Sequence, residues 1–149
     1  MRLFKDHVIF KPDEVVKADG TPYTIYTPYK NKWREIFNQH KLPRYHSESL
    51  LDHFIPVKPT SIAALDQIGF TSSSFVFPAK IVYSNIIKNY AQTRDLPYLE
   101  NGTSKLGLHL RFGTLSIRTL VNRVAIHETF VNELIWREFF MQILWHYPH

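Results

Sequence analysis

The chain has 149 residues, enough for one ordinary domain or for parts of two. Hydrophobic content of 44% and aromatic content of 15% exclude a disordered chain, and zero cysteines exclude disulfides, thiolate metal sites and a cysteine nucleophile while fitting a reducing cytoplasm. The formal charge of +5 favours a polyanionic partner without requiring one, no apolar run approaches a membrane span, and the first residues lack a signal-peptide core.

Residues 1 to about 29 read as short extended pieces, with His7-Val8-Ile9-Phe10 as a buried-strand candidate and Asp19-Gly20 as a turn between Val15-Val16 and Tyr23-Thr24-Ile25-Tyr26. Thr27-Pro28 predicts a helix start, with Thr27 as cap and Pro28 at the first helical position. Tyr29, Trp33, Ile36 and Phe37 form its apolar stripe, and the helix is expected to end near Lys41, before Pro43.

From Arg44 to Pro78 the periodicity dissolves among Pro56, Pro59, Gly69, Pro78 and the run Thr71-Ser72-Ser73-Ser74. One short helix, Ser61 to Ile68, is predicted there, capped by Ser61 or Thr60 and stopped by Gly69. So long a connection is unusual inside one compact domain and reads as a crossing between two.

Three helices are expected next: Ala79 to about Thr93, a second capped by Ser116, and a third capped by Thr129 and running from Phe130 to about Tyr147. At 100° per residue the last helix gathers Glu133, Trp136, Arg137, Phe140 and Leu144 on one side. Val131, Ile135, Phe139 and Ile143 take another, leaving only Glu138 and Gln142 as a polar edge. A helix apolar nearly all round is expected to lie inside something larger than three helices and a linker.

Three constellations carry chemistry, each with a plainer alternative. Gly102-Thr103-Ser104-Lys105-Leu106-Gly107 offers a sharp bend, two hydroxyls and an ammonium, suited to a phosphate, or an ordinary helix cap with a surface lysine. Glu133, Trp136 and Arg137 suit a stacked or flipped base beside a phosphate, or a core tryptophan with an intrahelical ion pair. Arg94-Asp95 is a phosphate contact with its orienting carboxylate, or a loop salt bridge. The eight histidines have no zincin-like spacing, so no metal site is expected, and no Walker, Rossmann or nucleophile-elbow motif is present.

In order, Tyr90-Ala91-Gln92-Thr93-Arg94-Asp95-Leu96-Pro97, Gly102 to Leu106, Leu108 to Ser116, and Asn132-Glu133-Leu134-Ile135-Trp136-Arg137-Glu138 resemble the flavin domain of the DNA photolyase/cryptochrome family. Asp6 to Phe10, Thr27-Pro28-Tyr29-Lys30 and Trp33 resemble the end of that family's α/β antenna domain, so the resemblance covers residues 1–46 and 80–149. It implies a mainly α chain with a small α/β portion: the tail of a Rossmann-like antenna domain in 1–46, an interdomain linker in 47–79, and the first helices of an all-α FAD-binding domain in 80–149.

The resemblance further implies that reduced, light-excited FAD splits a cyclobutane pyrimidine dimer flipped out of DNA. By position, Tyr90, Thr103, Ser104, Lys105, Leu106 and Gly107 would contact FAD. Glu133 and Trp136 would face the dimer, and Arg94 and Arg137 the DNA backbone. Gly107 stands where the family usually has serine, and Phe130 where many members have tryptophan.

Asn132-Glu133 ahead of Trp136 is the pattern of the cyclobutane-dimer enzymes; the alternative is a cryptochrome fragment that signals in blue light. A small basic helical module binding nucleic acid or a partner is the reading outside the family. Family members run to several hundred residues, so this chain is expected to hold only the phosphate side of the pocket, without the antenna-pigment site, and to be inactive alone. The antenna pigment and oligomeric state are not legible.

Overall fold

The computed structural model describes residues 5–40, 42–43, 46–58 and 61–149. They form two compact units, one from the residues up to Leu42 together with Pro78–His149, the other from Pro43–Phe77. The chain is mainly helical, and among the described residues there is no strand beyond an isolated bridge between Val16 and Pro22. That bridge closes the Asp19-Gly20 turn, where Asp19 accepts the Thr21 backbone N–H at 2.9 Å and Gly20 takes φ 80°.

The strand expected at His7–Phe10 is corrected to irregular backbone. Its physical cause is a rival acceptor: the N–H groups of Ile9 and Phe10 donate to the Glu138 carboxylate at 2.5 and 3.1 Å instead of to a neighbouring strand.

In the first unit, α1 spans Tyr26–Gln39. It begins one residue before the expected Thr27 cap, behind an extended Ile25 that gives no side-chain cap. Its first turn is held from outside, by the Tyr26 hydroxyl donating to the Asn132 carbonyl at 3.0 Å. Tyr29 and Trp33 are buried as the stripe predicts, and Trp33 packs against Phe10 at 5.3 Å and Phe37 at 4.9 Å. The expected end at Lys41 lies outside the described residues; the last helical residue is Gln39.

Helix α2 spans Ser84–Thr93, starting five residues after the expected Ala79. Two carbonyls upstream are taken by side chains rather than by helical N–H groups: Pro78 accepts from His109 Nε2 at 2.8 Å and Val82 from Arg123 at 3.3 Å. A short helix missing from the expected set, α3, spans Gly107–Arg111. Helix α4 spans Ile117–Val124, with the Ser116 hydroxyl accepting the Thr119 N–H as anticipated. Helix α5 spans Glu128–His146, and its cap position is His127 rather than Thr129.

α5 is the axis of this unit and packs against α1, α2 and α4. Phe130, Val131, Leu134, Ile135 and Phe139 of α5 join Leu120, Val121 and Val124 of α4 and Ile87 of α2 in one core. The polar edge read at Glu138 and Gln142 is corrected, since both are buried, at 2% and 5% exposure. Elsewhere toward its C-terminus α5 turns apolar side chains outward, with Phe140, Leu144 and Trp145 exposed, as is Tyr147 just past its end.

The second unit contains two 3₁₀ helices, Ser47–His53 and Asp66–Ile68, neither with a buried residue. The latter is shorter than the helix expected from Ser61, and Gly69 ends it at φ 93°. Thr60, the alternative cap, lies outside the described residues. No helix among the described residues is long and apolar enough to cross a membrane.

Candidate functional site

The loop after α2 is built on Gly102. A Cβ there would lie 3.0 Å from the Thr93 carbonyl oxygen and 3.1 Å from Leu99 Cβ, so any side chain would force the helix end or Leu99 to give by a few tenths of an ångström. The Thr93 hydroxyl ties it down by donating to the Gly102 carbonyl at 2.8 Å. Past this anchor Thr103 and Lys105 are exposed, Ser104 is half-buried, and Lys105 adopts the left-handed φ of 52° that turns the chain into α3. The Ser104 hydroxyl accepts the Leu106 N–H at 3.4 Å, which leaves its own proton free to donate.

Leu106 differs from its neighbours: its side chain is 1% exposed within the core and its N–H and carbonyl are taken by Ser104 and Leu110, so it shapes the bend and offers no side chain to a ligand. At Gly107 a Cβ would meet nothing within 4 Å, so packing does not demand glycine there. Exposed hydroxyl, ammonium and turned backbone together form a donor set that fits a diphosphate such as that of FAD.

The last turn of α2 joins this loop to α5. Arg94, next to Thr93, donates to Glu133 of α5 and, at 3.2 Å, to its neighbour Asp95. Burial weakens the Arg94 charge, but Glu133 and Asp95 more than compensate and raise its pKa. One turn earlier, Tyr90 packs edge-on against Phe130 at 4.9 Å, and burial followed by the Glu133 charge raises the pKa of its phenol. Tyr90, Arg94, the Gly102 anchor and Glu133 are thereby brought together around one helix end.

Trp136 lies one turn beyond Glu133 and is half-buried. Its indole stacks on the Tyr26 ring with centroids 3.5 Å apart and planes 8° from parallel. Phe140 also lies near-parallel to it at 5.5 Å. Burial, then the Glu133 charge, pushes the Tyr26 phenol up to about 12, so it remains a donor at neutral pH.

Arg137 turns away from these groups. Its guanidinium donates to the carbonyls of His7 at 2.7 Å and Leu110 at 3.2 Å, and burial holds its pKa below the usual value. It thus ties the N-terminal segment and α3 to α5.

Three residues that sequence reasoning passed over organise the site. Glu138 accepts from Ile9 N–H, Phe10 N–H and, at 2.8 Å, Trp33 Nε1, and among the described residues no cation lies within bonding distance of it. Burial pushes its pKa up to about 7 against these donors. Arg118 of α4 gathers the carbonyls of Lys5, Asp6 and Val8. Tyr26, read as the end of an extended piece, covers the indole. A separate cleft of about 880 Å³, lined by Val8, Phe10, Met141, Leu144 and Trp145 among others, contains none of the nominated residues.

Compared with known proteins, residues 1–47 match the family model described as DNA photolyase. Among curated relatives, the deoxyribodipyrimidine photo-lyase of Halobacterium salinarum is 26% identical over 95% of this chain and 34% of its own length. The enzyme of that name from Alkalihalophilus pseudofirmus is 27% identical over 97% of this chain and 34% of its own. The one from Escherichia coli is 26% identical over the same shares, 97% and 34%. The chain therefore spans about a third of the length of the relatives it matches. No solved structure matches it.

Proposed function

We propose that this chain, a member of the DNA photolyase family, contributes the phosphate side of a flavin pocket and part of the damaged-DNA face to a light-dependent enzyme that splits cyclobutane pyrimidine dimers. The observation that carries this reading is the junction at the end of α2. There Thr93 holds the Gly102 loop while Arg94 holds Glu133, so a phosphate-suited bend and the acid–indole pair of α5 share one support. Relatives named deoxyribodipyrimidine photo-lyase align across both elements. Within this reading, the residues up to 46 are the antenna-domain tail, 47–79 the linker and 80–149 the start of the flavin domain.

FAD, when bound and reduced, supplies the photoexcited electron that opens the dimer's cyclobutane ring. The residues of this chain bind and orient. Thr103, Ser104 and Lys105 donate to the diphosphate, with the main chain at Leu106 and Gly107 closing the bend and Tyr90 walling it. Glu133 accepts a hydrogen bond from a base edge of the flipped dimer, and Trp136 supplies an aromatic surface against it. Arg94 holds the Glu133 carboxylate and presents positive charge to the DNA backbone. Arg137, whose guanidinium is engaged with two carbonyls, serves that face by fixing α5, and reaches a phosphate only by releasing one of them.

The test is repair of a thymine-dimer oligonucleotide under blue light by the gene product carrying these residues, supplied with reduced FAD. Repair above the dark control, lost on Trp136→Ala, supports the reading; equal repair in light and dark rejects it. The chain by itself offers only part of a flavin site, and each missing hydrogen bond weakens binding by about 1 kcal/mol. Isothermal titration of FAD into it is therefore expected to show no sub-micromolar affinity.

A further inference from the structure

The stack between Tyr26 and Trp136 has the dimensions of a base stacked on an indole: 3.5 Å between centroids and 8° between planes. The indole face so covered is not open to a second planar ring. We propose that Tyr26 is an internal stand-in for the substrate base, occupying the Trp136 indole until a flipped pyrimidine displaces it, and so setting how strongly damaged DNA must compete to dock. This rests on the proposed role of Trp136 and names the residue that regulates access to it.

Three observations support displacement over a permanent platform. Tyr26 is the first residue of α1, behind an extended and exposed Ile25, so its ring sits on a helix end whose N–H groups have no side-chain cap. The attachment of α1 to the core is carried further along, by Tyr29 and Trp33, both 1% exposed, and by the Trp33 bond to Glu138. Besides the stack and an edge-on contact with Phe139 at 5.8 Å, Tyr26 makes a single hydrogen bond, from its hydroxyl to the Asn132 carbonyl at 3.0 Å. Rotation about its side-chain bonds frees the indole without unwinding α1.

The ring that leaves is also matched by the ring that arrives. Exchange of one aromatic stack for another keeps the indole covered throughout, so docking is selective for a flat, extruded base over a side chain or water.

The experiment compares Tyr26→Leu, which removes the flat ring while keeping apolar volume, and Tyr26→Phe, which keeps the ring and removes the anchor, with wild type and Trp136→Ala. Dark binding of dimer-containing and undamaged oligonucleotides is measured in the gene product, together with acrylamide quenching of Trp136 fluorescence, assigned by difference from Trp136→Ala. The expected result is roughly two- to tenfold tighter dimer binding and greater quenching in Tyr26→Leu, with a smaller gain in Tyr26→Phe. Unchanged or weaker dimer binding in Tyr26→Leu, while Trp136→Ala still abolishes discrimination, overturns the stand-in role alone. Loss of no discrimination in Trp136→Ala overturns both it and the site on which it rests.

Discussion

Two of the carboxylates on helix α5, Glu133 and Glu138, lie five residues apart in different surroundings. Glu133 is about one-third exposed and pairs with an equally accessible Arg94. Glu138 is 2% exposed, takes three N–H donors and, among the described residues, has no cationic partner at bonding distance. A carboxylate kept open beside an arginine remains available to a ligand. One sealed among backbone and indole donors is spent on the fold. The contrast separates the face of α5 proposed to meet DNA from the face that holds the N-terminal segment and α1 in place.

The largest effect is expected from breaking the buried side. Glu138→Leu strands three donors in the interior and should cost about 4 kcal/mol, read as a lowered denaturant midpoint. Its titration gives a second handle. The folded pKa of about 7 stands above the ordinary 4.5. The folded state therefore binds more protons in that interval, and stability is fully present below about 4.5. It should fall by about 3 kcal/mol as pH rises through 7, and Glu138→Gln should flatten this slope.

Smaller effects belong to the loop and the open side. Gly102→Ala forces a methyl against the Thr93 carbonyl and Leu99 and should lower stability by about 2 kcal/mol, with weaker FAD retention as a companion readout. Gly107→Ser enters open space, leaves the melting temperature within a degree or two of the parent, and restores a hydroxyl to the bend. A tightening of flavin binding by roughly fivefold is expected there, measured by titration, and a weakening would argue against phosphate binding at this loop.

Much of this organisation is legible in the sequence, for reasons that also explain what is not. The stripe Tyr29–Trp33–Ile36–Phe37 and the Ser116 cap follow from local periodicity and local hydrogen bonding, and both stand. The strand at His7–Phe10 fails because its donors are claimed by a side chain more than 125 residues away, a competition that no window of sequence contains. The late start of α2 has the same cause, with His109 and Arg123 holding the carbonyls that would have opened it.

Glu138 was within reach. At 100° per residue, Val131, Ile135, Glu138 and Gln142 fall within about 60° of one another, so the polar pair lies inside the apolar arc. Its residue types concealed it, since a carboxylate and an amide are placed outside by default. The candidate site divides likewise. The Gly102 bend and the Glu133–Trp136 spacing are local and legible. The diversion of Arg137 to two carbonyls and the cover of Tyr26 over the indole depend on partners distant in the chain.

The measurement that bears most directly on this division of α5 compares Glu133→Gln with Glu138→Gln in denaturant midpoint and in light-dependent dimer repair. The expected result is that Glu133→Gln keeps its midpoint to within about 1 kcal/mol and loses repair, whereas Glu138→Gln loses stability first. A Glu133→Gln protein that repairs dimers at the parent rate, or unfolds as readily as the Glu138 variant, would contradict it.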